Sequence, residues 1–207
     1  MVPAPRSISS GFGVANAGVA LHTRSMEART LEQLEAGLDM VRESPGDLGR
    51  LELIVRRPDY DQRELLDEAE LDLEEGLVGD MWCRRPSRHM PDGSPHPDKQ
   101  VNLINVRAIQ LIAGSRERWP LAGDQLYVDF DLSDDNAPPG TRLAIGTAVL
   151  EVTTQPHNGC AKFSERFGAD ALRFVNTDEG RALHLRGRST RVVTAGRIRA
   201  GDEVKKL

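Results

Sequence analysis

Between Leu126 and Leu132 every second residue is large and apolar: Leu126, Val128, Phe130 and Leu132. A run of period two places its apolar side chains on one face of a strand, and no helix can bury that pattern. The same signature returns in short pieces. Leu51, Leu53 and Val55 alternate, with Ile54 on the opposite face, until Pro58 stops the run. Leu71 and Leu73 alternate before Gly76, and Val101 to Ile104 reads as a short buried strand. Leu143 and Ile145 lead into Gly146-Thr147, and Ala148, Leu150 and Val152 return, which predicts a hairpin. Leu183 with Leu185, Val192 with Val193, and Ile198 with Val204 read as closing strands between glycine turns. Many short strands broken by Gly and Pro predict a mainly β chain, closed or nearly closed into a barrel.

Helices are few. Thr30 and Gln33 have the spacing of a capping box, and Leu31, Leu34, Leu38 and Val41 follow at helical spacing until Pro45-Gly46. That predicts one helix within an N-terminal arm over 1–49, whose first 29 residues show no period. Asn105 caps a predicted short helix holding Val106, Ile109 and Leu111, which Gly114 ends. After Cys160 a helical stretch carries Phe163 and Phe167 up to Gly168, and a second runs through Leu172 and Val175. The stretch from Arg84 to Lys99, with four prolines, reads as a mobile loop.

A chain of 207 residues with 39% apolar and 29% charged residues is long enough for one well-cored domain. Its net charge of −5 gives no support to nucleic-acid binding, which favours a basic bias. No segment approaches the ~20 apolar residues that span a bilayer. Met1 to Gly13 lacks the continuous apolar stretch of a secretion signal. The expectation is a cytoplasmic protein, free of membrane, whose two cysteines, Cys83 and Cys160, are thiols.

Cys160 has the more telling setting. It follows Gln155-Pro156-His157-Asn158-Gly159, a turn, and precedes a predicted helix. Unpaired N–H groups at a helix start favour a thiolate, the form that attacks and binds metal. His157 and Lys162 can add positive charge. A buried, inert cysteine is the alternative. A zinc site from His157, Cys160, Cys83 and His89 or His96 is a further one, though its spacing is loose for structural zinc.

Several blocks together resemble the MOSC domain family, named after the C-terminal part of molybdenum cofactor sulfurase. Gly76-Leu77-Val78-Gly79-Asp80 looks like its Gly-Leu-x-Gly-Asp segment, and Leu53 to Arg57 looks like its opening strand. Gly123-Asp124-Gln125-Leu126 resembles its Gly-Glu-Asn-Leu block, and Pro139 to Gly146 the approach to its core hairpin. Glu151-Val152 through Cys160-Ala161-Lys162-Phe163 resembles the strand and turn that end in the family's cysteine. Gly196-Arg197-Ile198 with Gly201-Asp202-Glu203-Val204 resembles its closing pattern. The resemblance spans roughly residues 50–207, taken as the MOSC domain.

The resemblance implies a MOSC-type β-barrel with a few short helices. It implies that Cys160 either ligates molybdenum of a molybdenum–molybdopterin cofactor or carries sulfur as a persulfide. A soft thiolate suits thiophilic metals. Reductase relatives remove oxygen from N-hydroxylated substrates, with electrons from a partner reductase. A sulfur carrier would be served by a cysteine desulfurase. A barrel kept only for interaction is the third reading. Pyridoxal phosphate, used by fused family members, is not expected on this chain. His157, Lys162, Arg188, Arg84, Arg85 and Asp80 are the expected cofactor contacts, with Arg166 and Arg186 as further basic neighbours. Asp80 and Asp124, each after a glycine, also read as turn stabilisers. Where relatives carry arginine before the cysteine, this chain has His157, which grips an anion only weakly at pH 7. Where many have Arg and His after the Gly-Asp, it has Met81 and Trp82.

Overall fold

The computed structural model describes residues 28–87 and 89–207. The irregular arm expected over 1–29 lies outside these, apart from its last two residues. In chain order the elements are α1 (Leu31–Glu35), α2 (Leu38–Arg42), β1 (Leu48–Arg56), β2 (Glu64–Leu66), β3 (Glu68–Asp72), β4 (Gly76–Leu77), β5 (Val101–Asn105), α3 (Val106–Ala113) and β6 (Leu126–Asp129). They continue with β7 (Arg142–Ile145), β8 (Ala148–Val152), α4 (Ala161–Phe167), α5 (Ala169–Val175), α6 (Asp178–Ala182), β9 (Arg188–Thr194), β10 (Gly196–Arg199) and β11 (Glu203–Lys206).

Seven strands close a barrel in the order β1-β11-β7-β8-β9-β5-β6, and β6 pairs back onto β1. All neighbours are antiparallel except β5 and β6, whose connection runs through α3, as a parallel pair requires. The short β2 extends β1 outside the barrel, and β10, β3 and β4 form a separate small sheet. Closure satisfies the edge groups that an open sheet of this size would expose.

The predicted alternation in β1 is corrected by a bulge. The register with β6 shifts between Leu51 and Leu53, and one extra residue swaps the faces beyond it. Leu51 and Ile54 therefore share the barrel interior with Leu103, Val128, Leu150 and Val204. Leu53 and Val55 turn instead to a second core, beneath the helices, with Ile109, Tyr127, Phe163 and Phe174. The single N-terminal helix is also corrected. The Thr30–Gln33 capping box forms, but the helix breaks at Ala36–Gly37 into two short pieces. A Cβ at Gly37 would stand 2.4 Å from Leu111 Cδ1, so the chain turns where it packs against α3. Leu34, Leu38 and Val41 are buried in that second core. Leu183 and Leu185 lie in turns after α6 and not in a strand. The hairpin at Gly146-Thr147, the Asn105 cap and the helices following Cys160 stand as read. Among the described residues no helix is long and apolar enough to cross a membrane.

Candidate functional site

A cavity of about 550 Å³ opens beside the turn that carries Cys160. Its wall gathers Arg57 after β1, Asp61 and Arg63 before β2, and the loop between β4 and β5. It also takes in Gly123 before β6, the turn before α4, and Arg186 before β9. The loop read as mobile supplies Arg85, His89, His96 and Lys99 to this wall. The cavity is lined by seven Arg and Lys side chains and by one carboxylate, that of Asp61. In a chain of net charge −5, such local concentration of one sign makes an anion-attracting cleft.

The thiol of Cys160 is exposed. It caps the start of α4 with extended backbone, and its carbonyl accepts from the Phe163 and Ser164 amides. Lys162 and Arg166, one turn apart on α4, both reach Asp61 at the rim, at 3.2 and 2.7 Å.

The floor is drier. Asp124 is fully buried and accepts from Arg186 Nη1 and from His157 Nε2, each at 2.6 Å. Burial alone would raise its pKa, but the charges and hydrogen bonds of Arg186 and His157 outweigh that and hold it at about 2. Asp124 is therefore a carboxylate at neutral pH. Burial, and then the Arg186 charge, push His157 below the ordinary imidazole value, against the pull of Asp124. Arg186 lies over the Phe163 ring, 5.0 Å from its centroid. It also donates from Nη2 to the Ala122 carbonyl. Its Nε is buried without a hydrogen-bond partner among the described residues. A buried unpaired donor is costly unless something takes it.

A second buried aspartate, Asp80, lies behind the wall. It accepts two bonds from the Arg57 guanidinium, one from the Arg57 amide and one from the Trp82 amide. The Trp82 bond is the turn-stabilising role read from sequence. Arg57 Nη1 continues to the Gly123 carbonyl at 2.8 Å and so ties the Asp80 corner to the Asp124 corner.

Of the expected contacts, Cys160, His157, Lys162 and Arg85 meet at the cavity. Arg84 lies outside its lining, exposed, and donates to the Pro58 carbonyl. Asp80 and Arg188 are buried outside the lining. Arg188 is held by the Leu132 carbonyl and Asp134. Arg166 and Arg186, read as basic neighbours, both line the cavity, whereas Arg57, Arg63, Lys99 and Asn102 were not anticipated. Arg57 had a signal, since it closes the strand block that resembles the family. Arg63 and Lys99 sit outside the helices and strands read from sequence, and Asn102, within β5, carried no signal of its own. Cys83 sits apart, its Sγ 3.5 Å from the Asp80 carbonyl oxygen. Among the described residues no three His, Cys, Asp or Glu side chains gather to cage a metal ion.

A cavity rich in guanidinium groups, with an orphaned buried N–H and a soft exposed thiol, suits a ligand that is both anionic and thiophilic. A family model described as the MOSC domain matches residues 92–205. No curated protein matches the chain. Solved structures share the fold at low identity. The YuaD protein from Bacillus subtilis is 17% identical, with a TM-score of 0.58 over 77% of this chain and 95% of that one. YiiM from Escherichia coli is 19% identical, with a TM-score of 0.51 over 76% of this chain and 69% of that one. A hypothetical protein, 20% identical, gives a TM-score of 0.54 over 81% and 70%. With the family pattern covering more than half of its residues, this chain belongs to the MOSC domain family.

Proposed function

We propose that this chain binds a molybdenum–molybdopterin cofactor in the basic cavity, with Cys160 as the metal's protein ligand, and serves as a reductase of N-hydroxylated substrates. The observation that carries the reading is the exposed Cys160 thiol on the wall of a cavity lined by seven cationic side chains. Bound there, the cofactor would supply two-electron redox chemistry at a thiophilic metal. The residues of the chain do the rest. Arg186 offers an unclaimed N–H to an anionic group, and Arg63 and Arg85 offer guanidinium donors that suit phosphate. Lys162 and Arg166 set the charge of the rim. Phe163 supplies the apolar face under Arg186. Electrons would come from a partner reductase.

Protein purified from cells that make the cofactor should contain molybdenum and pterin, and Cys160→Ser should lose the metal. Full retention in the variant contradicts the ligand role.

The exposure of the thiol also favours a second reading, in which Cys160 is a sulfur carrier. A cysteine desulfurase would pass its sulfane sulfur to the Cys160 thiolate, giving a persulfide here and releasing the donor's own thiol. Mass spectrometry after incubation with a desulfurase and cysteine should then show a gain of one sulfur on Cys160, and an unmodified Cys160 contradicts this reading.

A further inference from the structure

The geometry of His157 gives it a different task from gripping an anion. Its Nε2 lies 2.6 Å from Asp124 Oδ1. An ionised carboxylate only accepts, so that nitrogen carries the proton and donates. The other oxygen of Asp124 is taken by Arg186, which fixes the carboxylate and so fixes the ring. Gly187, with φ of +105°, leaves room for the ring: a Cβ there would lie 3.3 Å from His157 Cδ2 and 2.2 Å from the Leu103 carbonyl oxygen. The remaining ring nitrogen, Nδ1, has no hydrogen-bond partner among the described residues, and the ring forms part of the cavity wall, with 16% of the side chain exposed. The charged groups around it are Asp124 and Arg186, with Arg57 farther off. Burial and Arg186 both favour the neutral ring, so Nδ1 is bare at pH 7.

Arginine and lysine have no acceptor. The cations that attract an anion therefore cannot receive the hydrogen of an N–H or O–H group. Neither can Nδ1 of His96, which already accepts from the Asp98 amide.

We propose that His157 is a specificity residue: a neutral imidazole, held in its Nε2–H form by Asp124, that presents Nδ1 as a hydrogen-bond acceptor to an N–H or O–H group of the substrate. What His157 selects for is a hydrogen-bond donor on the bound molecule, which an ionised carboxylate lacks. This rests on the cavity being the working site, and it deepens that reading.

The test has two arms. Long-range proton–nitrogen correlation NMR of the full chain labelled with ¹⁵N-histidine, assigned by the signal lost in His157→Gln, should show the neutral Nε2–H tautomer at pH 7. A doubly protonated ring or the Nδ1–H tautomer overturns the proposal. In the second arm, calorimetry compares benzamidoxime, which carries N–H and O–H donors, with inorganic sulfate, which carries none, on the wild type and on His157→Phe. Phenylalanine keeps the bulk of the ring without its acceptor, and Arg186 still holds Asp124. Benzamidoxime affinity should fall roughly tenfold, the weight of one hydrogen bond, while sulfate affinity stays within about twofold. Lost sulfate binding, or unchanged benzamidoxime binding, overturns it. If the wild type binds neither probe, the reading of the cavity fails, and the NMR tautomer alone decides the state of His157.

Discussion

Two Gly-Asp corners stand close together in this barrel, and they are built differently. Asp80 and Asp124 each follow a glycine, are each fully buried, and each face an arginine. At Asp80 everything is matched: Arg57 and the Trp82 amide occupy the carboxylate, and Arg57 spends a further donor on the Gly123 carbonyl. At Asp124 the partners are left open. Arg186 keeps a buried Nε without a partner among the described residues, and His157, part of the cavity wall, spends only Nε2 on the carboxylate. A saturated network stiffens a wall, and a network with unused valence is one prepared for a ligand. On the proposed reading the first corner is scaffold and the second belongs to the site, although their sequences read alike.

The largest expected effect comes from removing either carboxylate. Asp80→Ala and Asp124→Ala should each cost about 3–5 kcal/mol in denaturant unfolding, because each removes a fully buried carboxylate from its paired arginine. The corners separate on a second readout. Asp80→Asn, once folded, should leave the His157 tautomer seen by NMR unchanged, while Asp124→Asn should alter it. If both variants behave alike on that readout, the contrast fails.

Gly187→Ala comes next. It forces a Cβ into the left-handed region at φ +105°, 2.2 Å from the Leu103 carbonyl oxygen. The expected loss is about 1–3 kcal/mol, measured by urea titration, with disturbed His157 resonances.

The pH dependence follows in size. His157 and His184 are both pushed below 6.5, His157 by burial and Arg186, His184 by burial and Arg188. The unfolded chain then takes up protons near that value that the native chain refuses, so stability falls as pH drops below 6.5. Asp124 has the depressed-carboxylate sign: its contribution is intact above 3.8 and is lost as pH falls toward about 2. Melting curves from pH 8 to 2 should show two declines, and His157→Gln should shrink the upper one. The smallest effect belongs to the rim. Lys162 and Asp61 are both more than half exposed, so Lys162→Ala should move the melting temperature by no more than about 2 °C. Raising the salt concentration should erase even that.

Much of the barrel was legible because strand alternation, the Gly146-Thr147 hairpin and the Asn105 cap are local signals. The bulge in β1 was not, since apolar residues at 51, 53, 54 and 55 fit either register until β6 selects one. The break at Gly37 is likewise set by contact with Leu111, 74 positions away. At the site, Cys160, His157 and Lys162 were legible because one turn and the helix start that follows it carry them. The tie between Arg57 and Gly123 spans 66 positions, and Arg186 reaches Asp124 across 62. Arg188 and Arg186 look equivalent in the chain. Placing one at the start of β9 and the other in the turn before it sends them to different partners.

The most direct test of Cys160 as the working atom is X-ray absorption at the molybdenum edge, on cofactor-loaded wild type and Cys160→Ser. The wild type should show one more sulfur neighbour than the variant, or the variant should hold no metal at all. Equal metal content with equal sulfur counts would contradict the ligand assignment.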